Sequence, residues 1–201
     1  MKIKHLTSTL ALAGIVGSIP LGSYVAAKKT DLLDARPIPI FLEVNGEKKT
    51  MKIPRYNLFK IPPGNCARYA KNVARDVFGL RYDSANAWDL RYKNKIVTSA
   101  NNEQLDDLVK RGDLKPGMLV GVYNPKSAHI NDLDATGNKV AYTHMIVYLG
   151  KSDGKLRFAH QFKTKFEIFG QDDLSKRGLE AREVIAPKDY LSKGQVGMRR
   201  D

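Results

Sequence analysis

The stretch Ala141-Tyr142-Thr143-His144-Met145-Ile146-Val147-Tyr148-Leu149-Gly150-Lys151-Ser152-Asp153-Gly154-Lys155-Leu156-Arg157-Phe158-Ala159-His160-Gln161-Phe162 reads as two strands and a turn. Ala141 to Leu149 and Leu156 to Phe162 are apolar, aromatic-rich runs, and Lys151-Ser152-Asp153-Gly154 joins them with a glycine for the left-handed position. Alternation puts Tyr142, His144, Ile146 and Tyr148 on one face of the first strand. It puts Leu156, Phe158, His160 and Phe162 on one face of the second. If paired residue numbers add to 304, His144 and His160 are directly opposite, and at 306 they are diagonal neighbours on one face. An odd register separates them.

Outward from this hairpin, Met118 to Tyr123 follows Pro116-Gly117 as another strand, with further strands expected at Phe166 to Phe169 and Arg182 to Ile185. Upstream lie helices. Asn65 can cap one whose apolar stripe is Cys66, Tyr69, Ala70, Val73 and Val77, ended by Gly79. A short helix is expected near Ser84, carrying Ala87, Trp88 and Leu90, and another from Asn102 to Lys110, closed by Gly112. Nearer the N-terminus, Ile38 to Val44 and Thr50 to Tyr56 flank Asn45-Gly46, a pair suited to a type I′ hairpin turn. Helices first and an antiparallel sheet after them define an α+β domain. No internal repeat or biased linker divides it.

The chain has 201 residues, 42% hydrophobic and 27% charged, which suits one globular domain and excludes collagen, coiled coil and wholesale disorder. One Cys excludes a disulfide framework, a multi-Cys zinc ribbon and an iron-sulfur cluster. A net charge of +13 favours anionic partners. Its basic residues are scattered without interleaved aromatics or a helix-turn-helix or finger pattern, so no nucleic acid is expected. No Gly-rich phosphate loop is present and no organic cofactor is expected.

Lys2, Lys4 and His5 precede an uncharged stretch from Leu6 to Ala27, with its densest apolar part at Leu10 to Ile19, a break at Pro20, and small residues at Val25 and Ala27. Residues 1–27 therefore read as an export signal, cleaved before Lys28, with an uncleaved membrane anchor as the alternative. Residues 28–60 then form an N-terminal hairpin extension, and 61–201 the main domain. The expected location is the periplasm or the extracellular space.

The chemistry centres on Cys66. A thiol at the first turn of a helix meets unsatisfied N–H groups and the positive end of the helix dipole, which favour a thiolate, although Cys is also among the most buried residue types. Two histidines aligned across a hairpin could supply a base and a group that orients it. A metal hydrolase using His129, His144 and His160, with Asp132, is a further option without a tight ligand spacing, and no metal site is expected.

Five blocks carry a resemblance: Gly64-Asn65-Cys66-Ala67-Arg68-Tyr69-Ala70, Ala85-Asn86-Ala87-Trp88, Leu114-Lys115-Pro116-Gly117-Met118-Leu119-Val120, Thr143 through Gly150, and Phe158-Ala159-His160. In this order they resemble the papain-like cell-wall cysteine hydrolases, the NlpC-type endopeptidases and CHAP amidases. The resemblance implies a papain-like α+β fold with the nucleophile at a helix start. It implies Cys66 as nucleophile, His144 as general base and His160 as the group orienting that base, with peptidoglycan peptide as substrate. Candidate oxyanion or substrate contacts are Asn65, Tyr56 and Trp88. The expected partner is peptidoglycan or another anionic envelope polymer, and a membrane only if the N-terminal segment is retained. Other options are a binding module without turnover and an acyltransferase or thioesterase using the same Cys. The turn-rich segment between Tyr123 and Val140 is either a substrate-gating loop or a solvated one.

Overall fold

The computed structural model describes residues 36–56, 65–162 and 165–190, so the expected export signal lies outside the described residues. Among the described residues no helix is long and apolar enough to cross a membrane. The chain forms an α+β domain around an antiparallel eight-stranded sheet. The strands are β1 (Ile38–Val44), β2 (Glu47–Ile53), β3 (Lys95–Ser99), β4 (Leu119–Tyr123), β5 (His144–Ser152), β6 (Lys155–Phe162), β7 (Lys165–Gly170) and β8 (Glu180–Ala186). The helices are α1 (Cys66–Phe78), α2 (Leu90–Lys93), α3 (Leu105–Arg111) and α4 (Gln171–Lys176).

Strand order is β2-β1-β5-β4-β8-β3, and β6 and β7 branch from β5. Strand β5 meets β4 over His144 to Val147, β6 from Val147 to the turn, and β1 at Lys151. It is buried on both faces, residues 142–150 all being inside. Met145, Val147 and Leu149 pack with Cys66, Tyr69, Ala70 and Val73 of α1. Ile146 and Tyr148 pack on the opposite face with Leu105 and Leu108 of α3, Phe158 and Leu174 of α4. One central strand thus holds two hydrophobic layers apart.

The turns follow their sequence. Asn45 and Gly46 have φ of 56° and 83°, and Asp153 and Gly154 have 51° and 73°, the paired positive values of type I′ turns. The first turn pins Val44 opposite Glu47, so β2 starts at Glu47 rather than at the expected Thr50. Its charged start faces solvent, as one side of a two-stranded ribbon can. Helix α1 starts and ends as expected, with Asn65 accepting the Arg68 N–H and Gly79 left-handed at φ 71°.

The expected order of helices before strands is corrected. The β1–β2 hairpin joins the main sheet through Glu43 opposite Lys151, β3 lies between two helices, and α4 follows β7. Regular helix near Ser84 is confined to Leu90–Lys93, after a turn over residues 87–89, and the helix expected from Asn102 begins at Leu105.

The β5–β6 ladder takes the 306 register at Val147↔Ala159 and Tyr148↔Phe158, then shifts by one residue at Gly150. Gly150 has φ 129°, and a Cβ there would stand 2.7 Å from the Glu43 carbonyl oxygen. Both strain and clash bar any side chain at this bulge. Gly150→Ala is expected to lower unfolding free energy by about 2 kcal/mol or more. Urea denaturation measures this, and a change within about 0.5 kcal/mol would remove the bulge from the account of the fold.

Candidate functional site

Asn65 stops the chain before α1, which sets Cys66 as the first helical residue with no acidic side chain in that turn. Cys66 is 7% exposed. The backbone N–H groups of Met145, Ala67 and Cys66 itself face its sulfur. Met145 lies two residues past the last β5–β6 pair, so its N–H turns to sulfur instead of extending that ladder. Burial pushes the Cys66 thiol up, and the three N–H groups only partly offset it. The expected preference for thiolate at a helix start is therefore reversed: desolvation outweighs the helix terminus, and the resting group is a thiol.

The two histidines meet as diagonal neighbours. His144 Nε2 stands 2.7 Å from His160 Nδ1, and the rings cross edge to face at 76°. His160 Nε2 is 3.1 Å from Glu167 Oε2, and Arg177 pairs with that carboxylate. This chain of contacts selects tautomers. A carboxylate can only accept, so His160 carries its proton on Nε2 and its Nδ1 accepts from His144 Nε2–H. The lone pair of His144 then sits on Nδ1. Burial, helped by the neighbouring His160, drives His144 down to about 3, so the ring is neutral across the physiological range. His160 is also lowered by burial, against the opposing pull of Glu167.

Thiol and imidazole approach β5 from different sides. His144 shares its face with Ile146 and Tyr148 and pairs across with Val122, whereas Cys66 packs with α1 on the Met145 face. The Cys66 sulfur bonds to the peptide N–H that directly follows His144, and among the described residues it makes no hydrogen bond to either imidazole.

The other expected residues separate from this centre. Tyr56 donates its hydroxyl to Asp76 at 2.6 Å, ten residues down α1, or about 15 Å along the helix from Cys66. Asn65 uses its side-chain oxygen in the cap. Trp88 stacks against His129 at 5.4 Å, and His129 Nδ1 lies 2.7 Å from Asp132. His129 and Asp132 thus form one pair and His144 and His160 another. Among the described residues no group of three or more His, Cys, Asp or Glu is placed to hold a metal.

The segment after Tyr123 is tied down by Asp134. Its carboxylate accepts from the Tyr92 hydroxyl and from the Thr136 and Asn138 N–H groups, which hold it near 2, while Ala135 N–H reaches Asp89. Three contributors were not expected from the sequence: Glu167, the Met145 amide and Gln161. Gln161 is 4% exposed, pairs across with Phe166 on the α1 side, and has a buried Oε1 without a hydrogen-bond partner, as has the hydroxyl of Tyr69. A charged residue seven positions beyond His160 on a hairpin return was the one available signal for Glu167.

No family model, no curated protein and no solved structure matches the chain.

Buried neutral imidazoles make stability depend on pH. Where a histidine is lowered on folding, the unfolded chain binds more protons below its ordinary value near 6.5, so stability falls as pH drops from there toward 3. The slope is about 1.4 kcal/mol per pH unit for each proton. Lowered carboxylates such as Glu167 contribute only below about their ordinary 4.5, and Glu183, raised by burial, acts above 4.5 in the opposite direction, so the histidine loss is read as the difference between wild type and variant. Denaturant melts from pH 6.5 to 4.5 should show that difference, with His144→Gln the flatter of the two; equal slopes would overturn the neutral-pair assignment.

Proposed function

We propose that the chain is an exported papain-like cysteine amidohydrolase that cleaves amide bonds, with peptidoglycan peptide as its substrate. The observation that carries this reading is Cys66 at the first turn of α1, bonded to the amide next to His144, whose ring is wired through His160 to Glu167. The net charge of +13 suits an anionic envelope.

In this reading substrate binding brings the Cys66 thiol, which rests on the opposite face of β5, to His144 Nδ1, which takes the thiol proton. The sulfur attacks the amide carbon and the carbonyl electrons move to oxygen. The Cys66 N–H at the helix start and the Met145 N–H then serve as oxyanion donors, the second being the one the sequence did not identify. His144 returns the proton to the leaving amine, and water, deprotonated by the same ring, releases the acid and restores the thiol. Glu167 and His160 stabilise the imidazolium that forms between these steps. The raised thiol and the lowered imidazole are both neutral at rest, so the base acts during attack rather than holding a ready thiolate. Gln161 offers a buried acceptor for a substrate amide on the Cys66 side.

A second reading, a binding module without turnover, is favoured by the deep burial of Cys66. Digestion of purified cell wall separates the two. Cys66→Ala is expected to abolish product release with an unchanged melting temperature, His144→Ala to lose about 10² to 10⁴ in rate, and His160→Gln to lose less. Iodoacetamide labelling of Cys66 should stay slow until pH passes the ordinary thiol value. Full digestion by Cys66→Ala would sink the nucleophile, and no digestion by wild type would leave the binding module.

A further inference from the structure

Beside the first turn of α1 opens a groove of about 940 Å³ that the reaction above does not use. Five cations line it: Arg68, Lys71 and Arg75 from the outer side of α1, Arg81 from the loop after it, and Lys93 from α2. Arg75 shares its guanidinium with Asp76, but among the described residues Arg68, Lys71, Arg81 and Lys93 form no ion pair with a carboxylate. The groove's one acidic residue, Asp89, accepts the Ala135 N–H. Lys71 is half-buried, bonded to the Ser84 hydroxyl, and burial with the nearby Arg68 charge lowers it. Like charges held together without counterions in a concave site are the arrangement that binds an anion.

Between the cations stand Asn72, Ser84 and Asn86, hydrogen-bonding groups that suit hydroxyls. The walls come from α1, the loop after it and α2, with no strand edge along which a peptide could add. Its two rings are Tyr82, whose hydroxyl is held by the Gly117 and Ile185 carbonyls, and Tyr92, over which the Arg91 guanidinium lies at 5.6 Å.

We propose that this groove is a binding site for a linear polyol-phosphate polymer, its phosphates held by Arg68, Lys71, Arg81 and Lys93 and its hydroxyls by the intervening amides. Asn65 lies on both the groove rim and the cap of Cys66, so a bound polymer holds the enzyme's site at the envelope. The site goes beyond the amide chemistry and stands whether or not Cys66 turns over.

The test is calorimetric titration of the purified chain with a poly(glycerol phosphate) oligomer. Three variants accompany wild type: Arg68→Gln with Lys71→Gln, the charge-matched Lys52→Gln with Lys155→Gln on exposed strand positions, and Cys66→Ala. Affinity is expected to fall about tenfold or more in the groove pair, to stay within about twofold in the matched pair, and to be unchanged in Cys66→Ala. Binding by Cys66→Ala without digestion keeps this site separate from the fate of the nucleophile. Equal loss in both double variants would show diffuse charge attraction and overturn the site. Tighter binding of a length-matched oligodeoxynucleotide or of hexaglutamate would overturn the polymer assigned to it.

Discussion

Strand β5 is the constraint on which the molecule depends. A strand has two edges, yet this one serves three neighbours, because β4 and β1 share one side in succession while β6 takes the other. On the β6 side the ladder begins only at Val147, which leaves its His144 end open, and Cys66 of α1 lies against that opening at Met145. The same strand separates two apolar layers, so moving it by one residue would exchange their contents and drive histidines into the α1 packing. The candidate site and the core are therefore products of one register.

Much of this was legible because the signals were local. Asn45-Gly46 and Asp153-Gly154 adopt paired positive φ values for which their residue types are suited, and Asn65 and Gly79 bracket α1 by backbone chemistry that involves only a few residues. Alternation offered the His144–His160 pairing at either even register, and the ladder takes 306. What stayed hidden depends on the whole fold. Strand β3 is a five-residue sheet edge with little alternation, and α4 is too short for a period. For the Cys66 thiol the sequence offered both helix-end electrostatics and burial on the apolar stripe of α1, and only the packing against β5 decides between them. Glu167 enters only because β7 folds back over β6.

Electrostatically the molecule keeps two regimes apart. Inside, desolvation holds Cys66 and His144 neutral, and the charge of Glu167 is balanced by Arg177 near the surface. Outside, the exposed side of α1 gathers cations beside the groove. One helix thus presents a neutral thiol to the interior and a positive flank to solvent. Neutral groups in a low-dielectric setting respond strongly to small charge displacements, whereas the flank responds to salt.

The bulge at Gly150 also acts as a register buffer. Pairs on its turn side run one residue out of step with those on its histidine side, so the two halves of the hairpin are already decoupled. Residues added at Asp153-Gly154 would change the tip without passing their offset to Val147↔Ala159. The tip is exposed, which makes it the part of this hairpin where new length, a label or an appended module can enter while the imidazoles keep their alignment.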